Sequence, residues 1–214
     1  MNQRLIYVMD PMCSWCWGFA PVIDAITQAH PDLPLHLVAG GLRANHGAPL
    51  DEHTRTVLAE HWQAVADDSG QPFGNPQALP AIFVYDTEPA CRALVVAREL
   101  NAGNAWAFVR ELQRAFYVDV EDVSHAAVLT RIAESAGYAL KDFSELFDQQ
   151  AMQSATLADV AWVEDLGMAG LPILLAERDG QLALLANGYQ AEDRVLPLLG
   201  RWLAAGEKLS EALA

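Results

Sequence analysis

The period of the apolar positions changes twice along the chain. Leu5-Ile6-Tyr7-Val8-Met9 is a continuous apolar run with β-branched and aromatic members, closed by Asp10-Pro11. Such a run reads as a strand buried on both faces, as in parallel sheets. After Cys13-Ser14-Trp15-Cys16-Trp17-Gly18-Phe19, the residues Pro21, Val22, Ile23 and Ile26 recur at helical spacing up to His30-Pro31. A second apolar stretch, Leu35 to Ala39, ends at Gly40-Gly41. The opening therefore predicts β-α-β, with parallel strands and a right-handed crossover.

From about Asp51 to Leu166 the pattern is helical almost throughout. Val57, Leu58, His61, Trp62 and Val65 form one stripe. Leu94, Val95 and Arg98 belong to a second helix, and Phe108, Leu112 and Phe116 to a third. Val128, Leu129, Ile132 and Ala136 mark a fourth, with a cap expected at Ser124 and the Glu121-Asp122 charges before it. Phe143, Leu146 and Phe147 mark a short fifth, and Leu157, Val160, Ala161 and Glu164 a sixth. Asp68 to Pro80, rich in Gly, Pro, Asn and Asp, is expected to be a loop. Beyond it, Ile173 to Ala176 and Leu182 to Ala186 flank Asp179-Gly180, a hairpin signal. Val195, Leu196, Leu199, Trp202 and Leu203 make a closing amphipathic helix, for which Gly206 is the candidate C-cap. The expected organisation is α/β: a mixed sheet built as β-α-β and then α-β-β-α, from residues 1–48 and 154–214, with residues 49–153 as an all-helical insert.

Composition removes several functions. With 52% hydrophobic residues spread along 214 positions, the chain can bury a sizeable core, and disorder is not expected. Thirteen basic against 28 acidic side chains give a net charge of −15, which repels a phosphate backbone and argues against nucleic acid as a partner. No apolar run approaches the roughly 18 residues needed to span a bilayer. The first apolar run, five residues long, is short for a secretory signal and flows directly into Asp10-Pro11. With Met1 as the native start, a cytoplasmic protein is expected.

Three cysteines cannot form a disulfide framework, but two of them stand as Cys13-x-x-Cys16 between a buried strand and the first turn of a helix. Two intervening residues let the sulfurs meet within one helical turn. The first cysteine then sits at the helix N-terminus, where free N–H groups and the helix dipole favour a thiolate. The second resolves the mixed disulfide. This assigns Cys13 as nucleophile and Cys16 as resolving thiol. A zinc half-site is the competing reading, but it needs two further Cys or His at short spacing, and the six histidines are scattered singly. No metal is therefore expected. Cys91, on a helix, reads as a small buried hydrophobe. His36, alternating within a strand, reads as a structural histidine, and His46, in a Gly/Asn loop, carries no assignment.

The segment Asp10-Pro11-Met12-Cys13-Ser14-Trp15-Cys16-Trp17, the helical insert and Gly170-Leu171-Pro172 before the third strand resemble the DsbA-like branch of the thioredoxin superfamily. Within that branch the chain is similar to cytoplasmic members regarded as predicted disulfide isomerases and related to polyketide-cluster oxidoreductases. The resemblance implies a thioredoxin-like fold, a cis Pro172 facing the cysteines, and a Leu171 backbone that pairs with an extended substrate. It implies protein or small-molecule thiols and disulfides as partners, no cofactor other than glutathione as reductant or substrate, and either a monomer or a homodimer.

Two departures qualify the resemblance. The dipeptide between the cysteines is Ser14-Trp15 rather than Pro-His, which points to a less oxidising couple. The buried acid that thioredoxins place six residues before the first cysteine is here Tyr7. Asp10 is the nearest carboxylate; it serves as a proton-transfer aid or as a turn residue bonded to its own backbone. Trp15 is expected to be an exposed substrate platform and Trp17 to pack into the insert. In the cytosol, reductase or isomerase activity is favoured over net oxidation. The alternative is a glutathione-dependent transferase or isomerase of the kappa-class or 2-hydroxychromene-2-carboxylate isomerase type, although such enzymes have no use for a resolving thiol. A non-catalytic redox sensor is a third possibility.

Overall fold

A computed structural model describes the backbone of residues 3–213 and the side chains of residues 3–206. The elements run β1 (Gln3–Met9), α1 (Ser14–Ala29), β2 (Leu35–Ala39), then six helices, α2 (Glu52–Ser69), α3 (Glu88–Asn101), α4 (Ala105–Tyr117), α5 (Ala126–Ser135), α6 (Leu140–Phe147) and α7 (Gln150–Asp165). They close with β3 (Ile173–Arg178), β4 (Gln181–Asn187) and α8 (Glu192–Leu213). Each of the six sequence stripes became one of the six central helices. The sheet order is β2-β1-β3-β4, with β1 and β2 parallel and the other two pairings antiparallel.

β1 is apolar on both faces because both faces are covered. Leu5, Tyr7 and Met9 enter the large core with α1 and the helices, while Ile6 and Val8 meet Val38, Ile173, Leu175 and Val163 of α7. The hairpin forms where Asp-Gly predicted it: Asp179 and Gly180 both adopt positive φ, 49° and 83°. This matches the right-handed twist of the flanking strands. The outer edge of β2 is blocked by an ion pair. Arg98 of α3 donates to Leu37 O and pairs with Asp159 of α7 at 2.7 Å, and Asp159 accepts the Ala39 N–H at 2.9 Å. That arrangement satisfies an edge which would otherwise template association.

Three local expectations are corrected. Gly206 lies inside α8 rather than at its end, and glycine is placed there because a Cβ would run into the Arg178 guanidinium. Arg178 needs that space to lie 4.0 Å from the Trp202 ring centre. The cap of α5 is His125, not Ser124; Ser124 instead bonds to Asp122 in the preceding turn. The loop after α2 starts at Gly70, which takes the left-handed cap conformation, and contains a short 3-10 turn at Pro76–Ala78.

Gly41, directly after β2, has φ of +59°, and a Cβ on it would lie 2.5 Å from Val160 Cγ2 of α7. Both backbone and space therefore require glycine. Gly41→Ala should destabilise the fold by about 1–3 kcal/mol, read as a lowered urea midpoint. An unchanged midpoint would contradict the packing of this loop against α7.

Candidate active site

Because β1 and β2 are parallel, their C-terminal loops lie side by side, Asp10–Cys13 beside Gly40–Arg43. Loops in this position commonly build the sites of α/β folds. Cys13 is the N-cap residue of α1, with φ −87° and ψ 116°, and its carbonyl accepts the Cys16 and Trp17 N–H groups at 3.0 and 3.1 Å. No side chain caps this end and no acidic residue occupies its first turn. The positive end of the helix is thus open toward the cysteines.

Cys16 is fully buried one turn further in. Burial first, then its hydrogen bond with Cys13, pushes the Cys16 thiol well above the ordinary cysteine range. Tyr7, at the position of the missing acid, is also fully buried and donates to Cys16 O at 3.4 Å. Burial, together with Cys16 and Cys13, raises its hydroxyl as well. Tyr7 therefore holds the first turn of α1 as a neutral donor. Pro21 inside α1 cannot bond back to the Trp17 carbonyl, and the Gln71 side chain fills that role at 2.9 Å.

Asp10 is completely buried. Oδ1 accepts the Met12 N–H at 2.8 Å, which is the turn expected from the sequence. Oδ2 accepts the Leu42 N–H at 2.8 Å and the Cys91 thiol at 3.4 Å, and Thr87 adds a further hydrogen bond. The carboxylate thereby ties the cysteine loop to the loop after β2 and to the start of α3. Burial, only partly offset by these donors, raises its pKa. Cys91 is buried as expected, but it is more than a small hydrophobe: its S–H is one of the four donors on Asp10.

A groove of about 540 Å³ opens over Cys13. Its floor is Cys13, Ser14 and Trp15; α2 contributes Thr54, Val57, Leu58 and His61 as one wall. Leu42, Arg43, Leu50 and Tyr85 form the opposite wall, and Gly170 and Leu171 close the end. The Leu171–Pro172 peptide is cis, Pro172 is buried, and its carbonyl accepts the Gly188 N–H at 2.8 Å. Gly40 lets the Leu171 side chain approach closely, since a Cβ there would lie 2.6 Å from it.

Trp15 departs from expectation. It is half-buried between the His61 ring, 6.0 Å away and edge-on, and the Tyr189 ring at 5.3 Å. It links α2 to the loop before α8 and forms part of the groove floor instead of projecting from the surface. Trp17 packs into the helices as expected, stacked on Tyr117 at 6.0 Å with its indole N–H on Pro72 O. Within the α2 stripe, Trp62 and Val65 are core, whereas Val57 and His61 face the groove. His36 lies away from the cysteines, half-buried on β2, its pKa lowered by burial and by Arg98 and Arg4. Among the described residues no cluster of three or more His, Cys, Asp or Glu side chains could hold a metal ion, and no helix is long and apolar enough to cross a membrane. Sequence reading missed Arg43, Tyr85 and His61; the glycine pair closing a second parallel strand was the available signal for the first of these.

The same architecture occurs in known proteins. A proposed protein disulfide isomerase from Nitrosomonas europaea superposes with a TM-score of 0.87 at 36% identity, over 96% of this chain and 99% of that one. The cytosolic disulfide reductase DsbM from Pseudomonas aeruginosa, also solved with GSH, superposes at 0.79 with 28% identity over 94% and 99% of the two chains. A 2-hydroxychromene-2-carboxylate isomerase, at 15% identity and a TM-score of 0.62 over 98% of both chains, shares the fold alone. The ClpXP adapter protein SpxH of Bacillus subtilis is 26% identical over 173 residues, 78% of this chain and 55% of SpxH. The chain thus spans little more than half the length of that curated relative. The DSBA-like thioredoxin domain matches residues 4–199, nearly the whole of the described fold, and the chain belongs to that family.

Proposed function

We propose that the protein is a thiol–disulfide oxidoreductase working in the reductase or isomerase direction, with Cys13 as nucleophile and Cys16 as resolving thiol. The observation that carries this reading is the asymmetry of the pair: Cys13 occupies the N-cap position of α1 and lines the groove, while Cys16 is sealed behind it. The Cys13 thiolate attacks one sulfur of a substrate disulfide, forming a mixed disulfide and releasing the other half as a thiol after protonation. Cys16 then loses its proton and attacks Cys13 Sγ, releasing the second thiol and leaving a Cys13–Cys16 disulfide. Two electrons have passed to the substrate, and two equivalents of a small thiol such as glutathione restore the dithiol.

The backbone of Leu171, just ahead of the ladder that begins at Ile173, is suited to pair with an extended substrate, with Pro172 fixing its direction and Ser14 and Trp15 bounding the groove. Cytosolic DsbM supports both the direction and a cytoplasmic location. A glutathione-dependent transferase or isomerase is the second reading, supported by the largely apolar groove; it predicts turnover that survives Cys16→Ala.

Equilibrium titration in glutathione redox buffers, following tryptophan fluorescence, tests the proposal because Trp15 lies between the two cysteines in the chain. One reversible two-electron transition is expected, absent in Cys13→Ser and Cys16→Ser. A protein with no reversible couple would not be an oxidoreductase of this type.

A further inference from the structure

Apart from the reacting Cys13, the charged side chain in the lining of the groove is a cation, Arg43. In a chain of net charge −15, that lining holds no carboxylate among the described residues. The open N-terminal end of α1 adds positive potential at the floor. Arg43 is held in place from several sides. Its N–H donates to Thr87 Oγ1 at 3.1 Å, its Nε reaches Tyr85 O at 3.4 Å, and its guanidinium lies 5.2 Å from the centre of the Tyr85 ring. Tyr85 in turn donates its hydroxyl to Met12 O, one residue before Cys13.

Seven arginines and lysines among the described residues are paired with carboxylates, and Arg43 is not among them. Acids on the neighbouring segments are engaged elsewhere: Asp51 accepts the Thr54 N–H at 2.7 Å. Asp86 accepts the Asn45 and Glu88 N–H groups, and Glu88 pairs with Arg92 at 3.2 Å. A positioned, unneutralised guanidinium at the mouth of an apolar cleft recognises a planar carboxylate by paired hydrogen bonds. The cleft has the size of a small-molecule site.

We propose that Arg43 is a specificity-determining residue that binds a carboxylate of a small acidic thiol, or of its disulfide, in the groove over Cys13. This rests on the thiol–disulfide reading above. It adds that the preferred substrate is small and anionic, and that discrimination by charge is set on the loop after β2 rather than at the cysteines.

The test compares three disulfides of different charge: oxidised glutathione (anionic), bis(2-hydroxyethyl) disulfide (neutral) and cystamine (cationic). Arg43→Gln is expected to lower kcat/KM for oxidised glutathione about tenfold, mainly through KM. It should change the neutral substrate less than about twofold and leave cystamine undiminished, with Arg43→Lys largely restoring the anionic preference. Equal losses on all three substrates would mean that Arg43 acts on the Cys13 thiolate or on folding, and would overturn the proposal. No change on any of them would overturn it as well.

A separate measurement keeps this conclusion apart from the redox reading. S-methylglutathione cannot exchange sulfur, so its binding, followed by tryptophan fluorescence, reports on the groove alone. The wild type should bind it in a salt-sensitive way and Arg43→Gln about tenfold more weakly. If the wild type turns over none of the three disulfides, the oxidoreductase reading fails while this binding difference still decides the role of Arg43. Failure of the wild type to bind S-methylglutathione at millimolar concentration would overturn the carboxylate subsite.

Discussion

Cys13→Ser is expected to bring disulfide turnover down by several orders of magnitude, to the rate of uncatalysed exchange. The serine hydroxyl is not ionised near neutrality and cannot attack a disulfide sulfur, so no part of the cycle remains. Cys16→Ser should behave differently. Cys13, which lines the groove, still attacks, but the sulfur that would release the product from behind is gone. Incubation with oxidised glutathione should therefore leave one glutathione moiety on the protein, visible as a single adduct in intact mass spectra and removed by added dithiol. Multiple turnover should then depend on external thiol. If Cys16→Ser instead turned over glutathione conjugates at the wild-type rate, the resolving role would be lost and the transferase reading would replace it.

Asp10→Ala should be the most damaging substitution outside the cysteine pair. It leaves the Met12 and Leu42 N–H groups, the Cys91 thiol and the Thr87 hydroxyl without their common acceptor in a fully buried site. At roughly 1–3 kcal/mol for a stranded donor, a total loss of about 3 kcal/mol or more is expected. That corresponds to a fall in Tm of about 6–12 °C for a chain of this size. Turnover should fall as well, because the same carboxylate orders the loop that ends at Cys13.

Asp10→Asn isolates the charge. The folded-state pKa of Asp10 is raised above its unfolded value of roughly 3.9. The native state therefore holds its proton more tightly. The linked stability is fully present below pH ~4 and is lost as pH rises through the folded pKa. Relative to Asp10→Asn, the wild type should thus lose unfolding free energy over that interval, measurable as the difference between urea midpoints from pH 4 to 7. A difference that is flat in pH, or that grows with pH, would mean that hydrogen bonding outweighs burial at Asp10 and that its pKa is not raised.

Much of the site was legible because its chemistry is local. Cys13 and Cys16 are three residues apart, and the buried strand before them and the helical stripe after them are both short-range patterns. The same holds for Asp179-Gly180, whose turn type follows from two residues alone, and for the Asp10 turn onto Met12. What stayed hidden involves partners far apart in the chain. Cys91 reads as a buried small residue in its own helix, and only the fold brings it to Asp10, 81 positions away. Val57 and His61 share the period of Trp62 and Val65, and periodicity cannot tell a core from a groove when both are apolar. Trp15 read as exposed because nothing near it in sequence foretells Tyr189 or His61 as neighbours.

The element order, the β-α-β start and the spacing of Cys13 and Cys16 ahead of a helix could all be read without coordinates. These depend on hydrophobic period, turn chemistry and a spacing of three, all set within a few residues of chain. Coordinates were needed to see that Asp10 serves as a clamp with four donors, that Gly206 makes room for Arg178, and that Arg43 shares a groove with Cys13 and has no carboxylate partner among the described residues. Each of these depends on which loops the parallel pairing of β1 and β2 and the docking of α3 and α7 bring together. Such long-range packing leaves no periodic trace in the sequence, because burial, charge pairing and cavity shape are properties of the assembled surface rather than of any one segment.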